Sequence, residues 1–148
     1  MDKRERKTRL KDIVGAIDKS IIGIEKFDKR LMLETQKKID DLYGYLDNHC
    51  IVPDGFDPDE MMKEILVDFF SNDEDIIEIR DSIEGLKDDT YDHIDEMKEG
   101  SNKEEWEEFY SNLEYIDDII DFEEQEISNV EEFIENMKEL KSRLNDLI

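Results

Sequence analysis

The chain has 148 residues, with 44 Asp and Glu against 20 Lys and Arg, a formal charge of −24. Charged residues reach 43%, well above the roughly 25% of an ordinary soluble domain, yet Leu, Ile, Val and Phe fill about 28% of positions, enough to build a core rather than a disordered chain. One folded domain is expected, and a collagen, a disulfide framework and a membrane-spanning helix are excluded, because Cys50 is the only cysteine and runs such as Ile65-Leu66-Val67 fall far short of the roughly 20 apolar residues of a span.

The predicted elements are all helical. Leu10, Val14, Ile17, Ile21, Ile24, Leu31, Ile39, Leu42 and Leu46 recur at helical spacing and predict a first helix over 5–46. Gly15, Gly23 and Gly44 weaken it, leaving room for a bend or an early end near Gly44. A loop, 47–57, holds Pro53, Asp54 and Gly55. Asp57-Pro58-Asp59-Glu60 then reads as an N-cap, a proline at the first helical position and acids in the first turn, opening a helix over 58–70 with Met61, Met62, Ile65, Leu66, Phe69 and Phe70 as its apolar face. Ser71 reads as a further cap.

A third helix is expected over 72–99, carrying Ile76, Ile79, Ile83, Leu86, Ile94 and Met97 and ended by a left-handed Gly100. Ser101-Asn102-Lys103-Glu104 has the pattern of a capping box, so a tight helical hairpin is expected around Gly100-Ser101. The fourth helix, 103–148, follows from a row of alternating threes and fours: Trp106, Phe109, Leu113, Ile116, Ile120, Glu123, Ile127, Val130, Ile134, Met137, Lys141, Leu144 and Ile148. Ile119, Phe133, Leu140 and Leu147 widen the stripe toward a bundle core. Unbroken, this helix is about 69 Å long, and Ser128 is the one place marked for a break. The expected architecture is an elongated, all-α bundle of about four helices with a long C-terminal helix.

Charge is unevenly spread. Residues 1–38 carry 12 basic and 7 acidic residues, whereas 39–148 carry 8 and 37. Between Glu104 and Glu135 there are 14 carboxylates and no lysine or arginine. On a straight helix that is one charge per ~3.4 Å, the spacing of phosphates along one DNA strand. The candidate partner-binding residues are therefore Glu104, Glu105, Glu107, Glu108, Glu114, Asp117, Asp118, Asp121 and Glu124. The basic cluster Lys3-Arg4, Arg6-Lys7, Arg9, Lys11 has the composition of a nucleic-acid or anionic-membrane contact, but the rest of the chain repels polyanions and a frayed basic terminus is the plainer reading. Separately, a positive first helix lying along the acidic fourth helix would pair part of the charge internally. Trp106, with Phe109 and Tyr110, is read as closing one end of the core.

Catalytic patterns do not hold up. Glu105-x-x-Glu108 and Glu114-x-x-Asp117 resemble the acid pairs of all-α nucleotide pyrophosphatases only superficially, because that arrangement needs the two pairs on different helices. Asp88 to Glu99 has acids where a calcium loop wants them, but His93 takes the place of the turn glycine. His49-Cys50 lacks the second ligand pair of a zinc site. No enzyme activity, metal or cofactor is expected. The composition resembles that of phage-type DNA-mimic inhibitors, which implies a non-catalytic, cytoplasmic binding protein occupying the basic, nucleic-acid-binding surface of a partner such as a nuclease, with no direct contact to nucleic acid or membrane. The alternative is a structural or adaptor bundle, or a homodimer through the a/d/g stripe of the fourth helix.

Overall fold

The computed structural model describes residues 1–121, 127 and 129–148, with the side chains of 27–29 set aside. It is all-helical, with six α-helices and no strand among the described residues: α1 (Lys3–Gly23), α2 (Lys29–Asn48), α3 (Pro58–Ser71), α4 (Glu74–Asp95), α5 (Ser101–Ile119) and α6 (Val130–Asp146). None of the described helices is long and apolar enough to cross a membrane. Instead of about four helices there are six among the described residues.

α1 starts at Asp2, whose side chain accepts a hydrogen bond from the Glu5 amide at 2.8 Å. A π turn, Ile24–Asp28, joins it to α2. The extra residue of a π turn rotates everything beyond it by about 100°. The core row Leu10, Ile13, Ile17, Ile21, Ile24 therefore continues at Met32 and Ile39. Leu31 and Leu42, expected in that row, lie 52% and 47% exposed. A straight α-helix would have turned Thr35 and Lys38 inward with them; the shifted register presents Met32, Gln36, Ile39 and Tyr43 instead. The helix runs through Gly44 and ends at Asn48. There the Ile51 amide bonds to Leu46 O and the Cys50 amide to Asp47 O, both at 3.0 Å. Cys50, at φ +56°, holds the left-handed place that glycine usually fills.

α3 opens as its sequence dictates, with Asp57 accepting from the amides of Asp59 and Glu60 and Pro58 in the first turn. Ser71 is its last residue and does not cap the next helix; Asp73 does, accepting from the Ile76 amide at 3.1 Å. α4 ends at Asp95, four residues before the expected end, and Gly100 is not its C-cap. Gly100 instead precedes α5 as N-cap at φ +152°, and the Ser101 capping box does not form, since no side chain bonds to that helix end.

The long fourth helix is corrected to two, α5 and α6, packed on one another. α5 carries Asp117 and Asp118 in its last turn and no basic residue of its own there, a charge placement the helix dipole disfavours. α6 restarts at Asn129, whose side chain accepts from the Glu132 amide at 2.9 Å. Ser128 and Glu123 lie outside the described residues. The reversal lets both halves of the apolar stripe share one core: Trp106, Phe109, Leu113, Ile116, Ile120, Ile127, Val130, Ile134, Met137 and Leu144 are all buried together with residues of α1, α3 and α4. Phe133 stacks on Phe70 of α3 with ring centroids 3.6 Å apart. A straight rod would have left much of that surface in water, at a cost of about 25 cal/mol per Å². Lys141 and Ile148, in the same row, stay out of the core.

Candidate functional site

α4 and α5 form an antiparallel hairpin. Tyr91 meets Tyr110 with centroids 5.9 Å apart, His93 meets Trp106 at 4.6 Å, and Lys87 Nζ lies 3.3 Å from Asp117, so numbers fall along one helix as they rise along the other. Each helix buries one row. On α4 it is Ile76, Ile79, Ile83, Leu86 and Thr90, the last satisfied by donating its hydroxyl to Leu86 O at 2.7 Å. On α5 it is Trp106, Phe109, Leu113 and Ile116. Helical periodicity then places the acids on the opposite side. Glu74, Glu78, Asp81, Glu84, Asp88, Asp92 and Asp95 are exposed on α4, and Glu104, Glu107, Glu108, Glu114 and Asp118 on α5.

α4 has nine acids and two cations, α5 seven and one, a net of −13 for the hairpin. Along the roughly 33 Å of α4 that is one net charge per ~2.5 Å, between the ~3.4 Å of a single DNA strand and the ~1.7 Å of a duplex. Part of this charge, that of the carboxylates exposed away from the core, lies in two rows on neighbouring helices rather than one row on a rod.

The back of the hairpin is neutralised by α1. Lys3 Nζ is 2.8 Å and Arg6 3.9 Å from Glu105, and Arg9 is 2.6 Å from Asp89. The Lys3 hydrogen bond, opposed by burial and helped by the charges of Lys3 and Arg6, holds the Glu105 carboxyl below the usual carboxylate range. The Arg6 guanidinium lies 4.5 Å from the ring centroids of both Trp106 and Phe109. Its buried Nη1 has no hydrogen-bond partner among the described residues, so ring faces stand where an acceptor would be. The N-terminal basic cluster is thus split by helix periodicity: Lys3, Arg6 and Arg9 turn toward the hairpin, whereas Arg4, Lys7 and Lys11 are exposed. Trp106 is core, 2% exposed.

Between the rows runs a polar seam. Burial works against the charge of Lys87, but the hydrogen bond and charge of Asp117, with Tyr110 and Glu114 near, raise its pKa overall. Burial and a hydrogen bond to Glu114 raise that of the Tyr110 phenol. Lys103 donates to Glu99 at 2.9 Å, which raises its pKa against a small burial effect.

The candidate residues therefore divide. Glu104, Glu107 and Glu108 are exposed and make no ion pair among the described residues. Glu114 serves Tyr110, Asp117 serves Lys87, and Glu105 faces α1. Asp118 and Asp121 are exposed at and just beyond the end of α5. Glu124 lies outside the described residues. The α4 carboxylates were missed, although the four-residue spacing of Glu84, Asp88 and Asp92 was a readable signal that they share one face.

Other candidate chemistry is dispersed. Glu105, Glu108, Glu114 and Asp117 share one helix, and Asp88 to Asp95 is helical rather than a calcium loop. His49 stacks on Tyr45 and its Nδ1 is 2.8 Å from Tyr45 O, while Cys50 is exposed. Among the described residues no group of three or more His, Cys, Asp or Glu side chains is placed to hold a metal. Compared with protein-family models, with curated proteins and with solved structures, the chain has no significant match.

Proposed function

We propose that the chain is a non-catalytic, cytoplasmic binding protein whose α4/α5 face occupies the basic, nucleic-acid-binding surface of a partner protein such as a nuclease. The observation that carries this reading is the pair of antiparallel rows of exposed carboxylates, Glu84, Asp88, Asp92 and Asp95 beside Glu104, Glu107 and Glu114, with Lys3, Arg6 and Arg9 of the N-terminal basic cluster engaged on the far side. Such a face attracts a basic groove at long range and displaces its counterions, as nucleic acid does. Two tyrosines in the seam, Tyr91 and Tyr110, add surface of the kind that anchors protein interfaces.

The test is retention of partners on the immobilised chain at low salt, with duplex DNA as competitor. DNA should release them without itself binding, and a variant with Glu84→Lys, Asp88→Lys and Glu107→Lys should retain none. Partners held equally well with DNA present, or held by the charge-reversed variant, would rule the reading out.

A structural or adaptor role is the second reading, favoured by the exposed apolar stripe of α2. The a/d/g stripe once expected to pair copies of the fourth helix is spent inside the chain's own core, Trp106 to Leu144.

A further inference from the structure

Beyond the π turn, α2 carries a second row at alternating steps of four and three: Leu31, Thr35, Lys38, Leu42, Tyr45 and His49. This is the spacing of a coiled-coil seam. It lies beside the buried row Met32 and Ile39 but outside it, with Leu31, Leu42 and Tyr45 exposed by 52%, 47% and 58%. α2 packs on α3 and, more lightly, on α6, and neither covers this row. The π turn is what turns it outward, since an unbroken α-helix would have continued the α1 core row directly into Leu31.

We infer that this row is the contact between two copies of the chain, packed with α2 antiparallel to α2. Three observations select a second copy as the occupant. The row is self-complementary: in the antiparallel register that sets Leu31 opposite Leu42 of the second copy, Thr35 falls opposite Lys38, and both layers repeat by symmetry. Charge fits as well, because Lys38, which makes no ion pair among the described residues, then lies beside Glu34 of the second copy, whose own pairing with Arg30 is long, 3.5 Å, and exposed. Finally, over residues 30–45 three cations, Arg30, Lys37 and Lys38, balance three acids, Glu34, Asp40 and Asp41. In a chain of charge −24 this is a neutral stretch on which two copies can approach. A closed, isologous pair is the expected symmetry for such a patch.

In this register the paired seam is short, about 17 Å from Leu31 to Leu42, which puts it at the weak end of specific interfaces. Repulsion between two polyanions opposes it and is screened by salt, so the pair tightens as salt rises. That sign is opposite to the one expected for the acidic face on a basic partner, and the two proposals stand or fall separately.

The test is sedimentation velocity of the full chain under reducing conditions, which exclude a Cys50 disulfide, at about 0.05 M and about 0.5 M NaCl. The expected result is a monomer–dimer equilibrium that strengthens at the higher salt. Leu42→Glu should weaken it at least about tenfold by placing a charge in the seam. Glu34→Lys and Lys38→Glu should each weaken it, and the double variant should recover to within about threefold of the parent. All these positions are exposed, so helical content by circular dichroism should stay at the parent value. A chain that remains monomeric at about 0.5 mM in the higher salt, a dimer indifferent to Leu42→Glu, or a double variant no better than the singles would each overturn the inference.

Discussion

Neutralising the outer row of α4 should stabilise the protein, and by an amount that salt controls. In the triple variant Glu84→Gln, Asp88→Asn, Asp92→Asn all three positions are exposed. Their like-charged neighbours at i, i+3 or i, i+4 form six distinct pairs: 81 with 84, 84 with 88, 88 with 92, 89 with 92, 92 with 95 and 92 with 96. Two attractive pairs, Arg80 with Glu84 and Glu84 with Lys87, are lost at the same time. At roughly 0.2–0.5 kcal/mol per pair, relief of a net four repulsions gives about 1–2 kcal/mol. For a chain of this size that raises the melting temperature by about 2–8 °C. Urea and thermal unfolding at about 20 mM and about 0.5 M NaCl measure it, and most of the gain should vanish at the higher salt, where the screening length is shorter than the separation of the charges. A gain that is equal at both salts would reflect helix propensity instead, and no gain at low salt would show that these carboxylates do not repel one another. Either result removes the coherent anionic face on which the functional proposal stands.

Four further outcomes test the fold. Phe133→Ala should cost about 3–5 kcal/mol in urea unfolding, since the ring is fully buried and stacked on Phe70 across the α3/α6 contact. Asn129→Ala should cost about 1 kcal/mol by removing the cap of α6, whereas Ser101→Ala should change stability by less than about 0.5 kcal/mol because that serine caps nothing. Cys50→Gly should stabilise by about 0.5–1 kcal/mol, the left-handed strain relieved exceeding the added freedom of the unfolded chain. The lowered pKa of Glu105 means that the folded state holds its proton more weakly than the unfolded state does. The stability it contributes is present above the unfolded carboxyl pKa and is lost as pH falls through the folded one, so the gap between parent and Glu105→Gln midpoints should close on acidification. A gap constant with pH would mean that the Lys3 and Arg6 contacts are not held in solution.

Most helices could be read from local rules. Asp57-Pro58 opens α3 because capping and proline geometry concern neighbours alone, and the rows Ile76 to Leu86 and Trp106 to Ile116 declare their buried faces by period. The candidate site was half legible for the same reason. An acid-rich row on α5 is visible in the residues, but that Glu105 turns to α1 and Asp117 to Lys87 depends on which helices stand beside it.

Composition, charge asymmetry and helical period are properties of the chain itself, and they were enough to establish an all-α protein with an acidic C-terminal part. Where the long apolar row folds back was not among them. A row of threes and fours reads the same on one rod as on two antiparallel helices, and the choice is made by how much apolar surface the remaining helices can cover. The π turn has the same origin. It puts Met32 and Ile39 inside and Leu31 and Leu42 outside, because the core favours a register that no local rule of the sequence prefers. Tertiary packing therefore decided which carboxylates stand side by side and which leucines meet water, since both depend on neighbours remote in the chain.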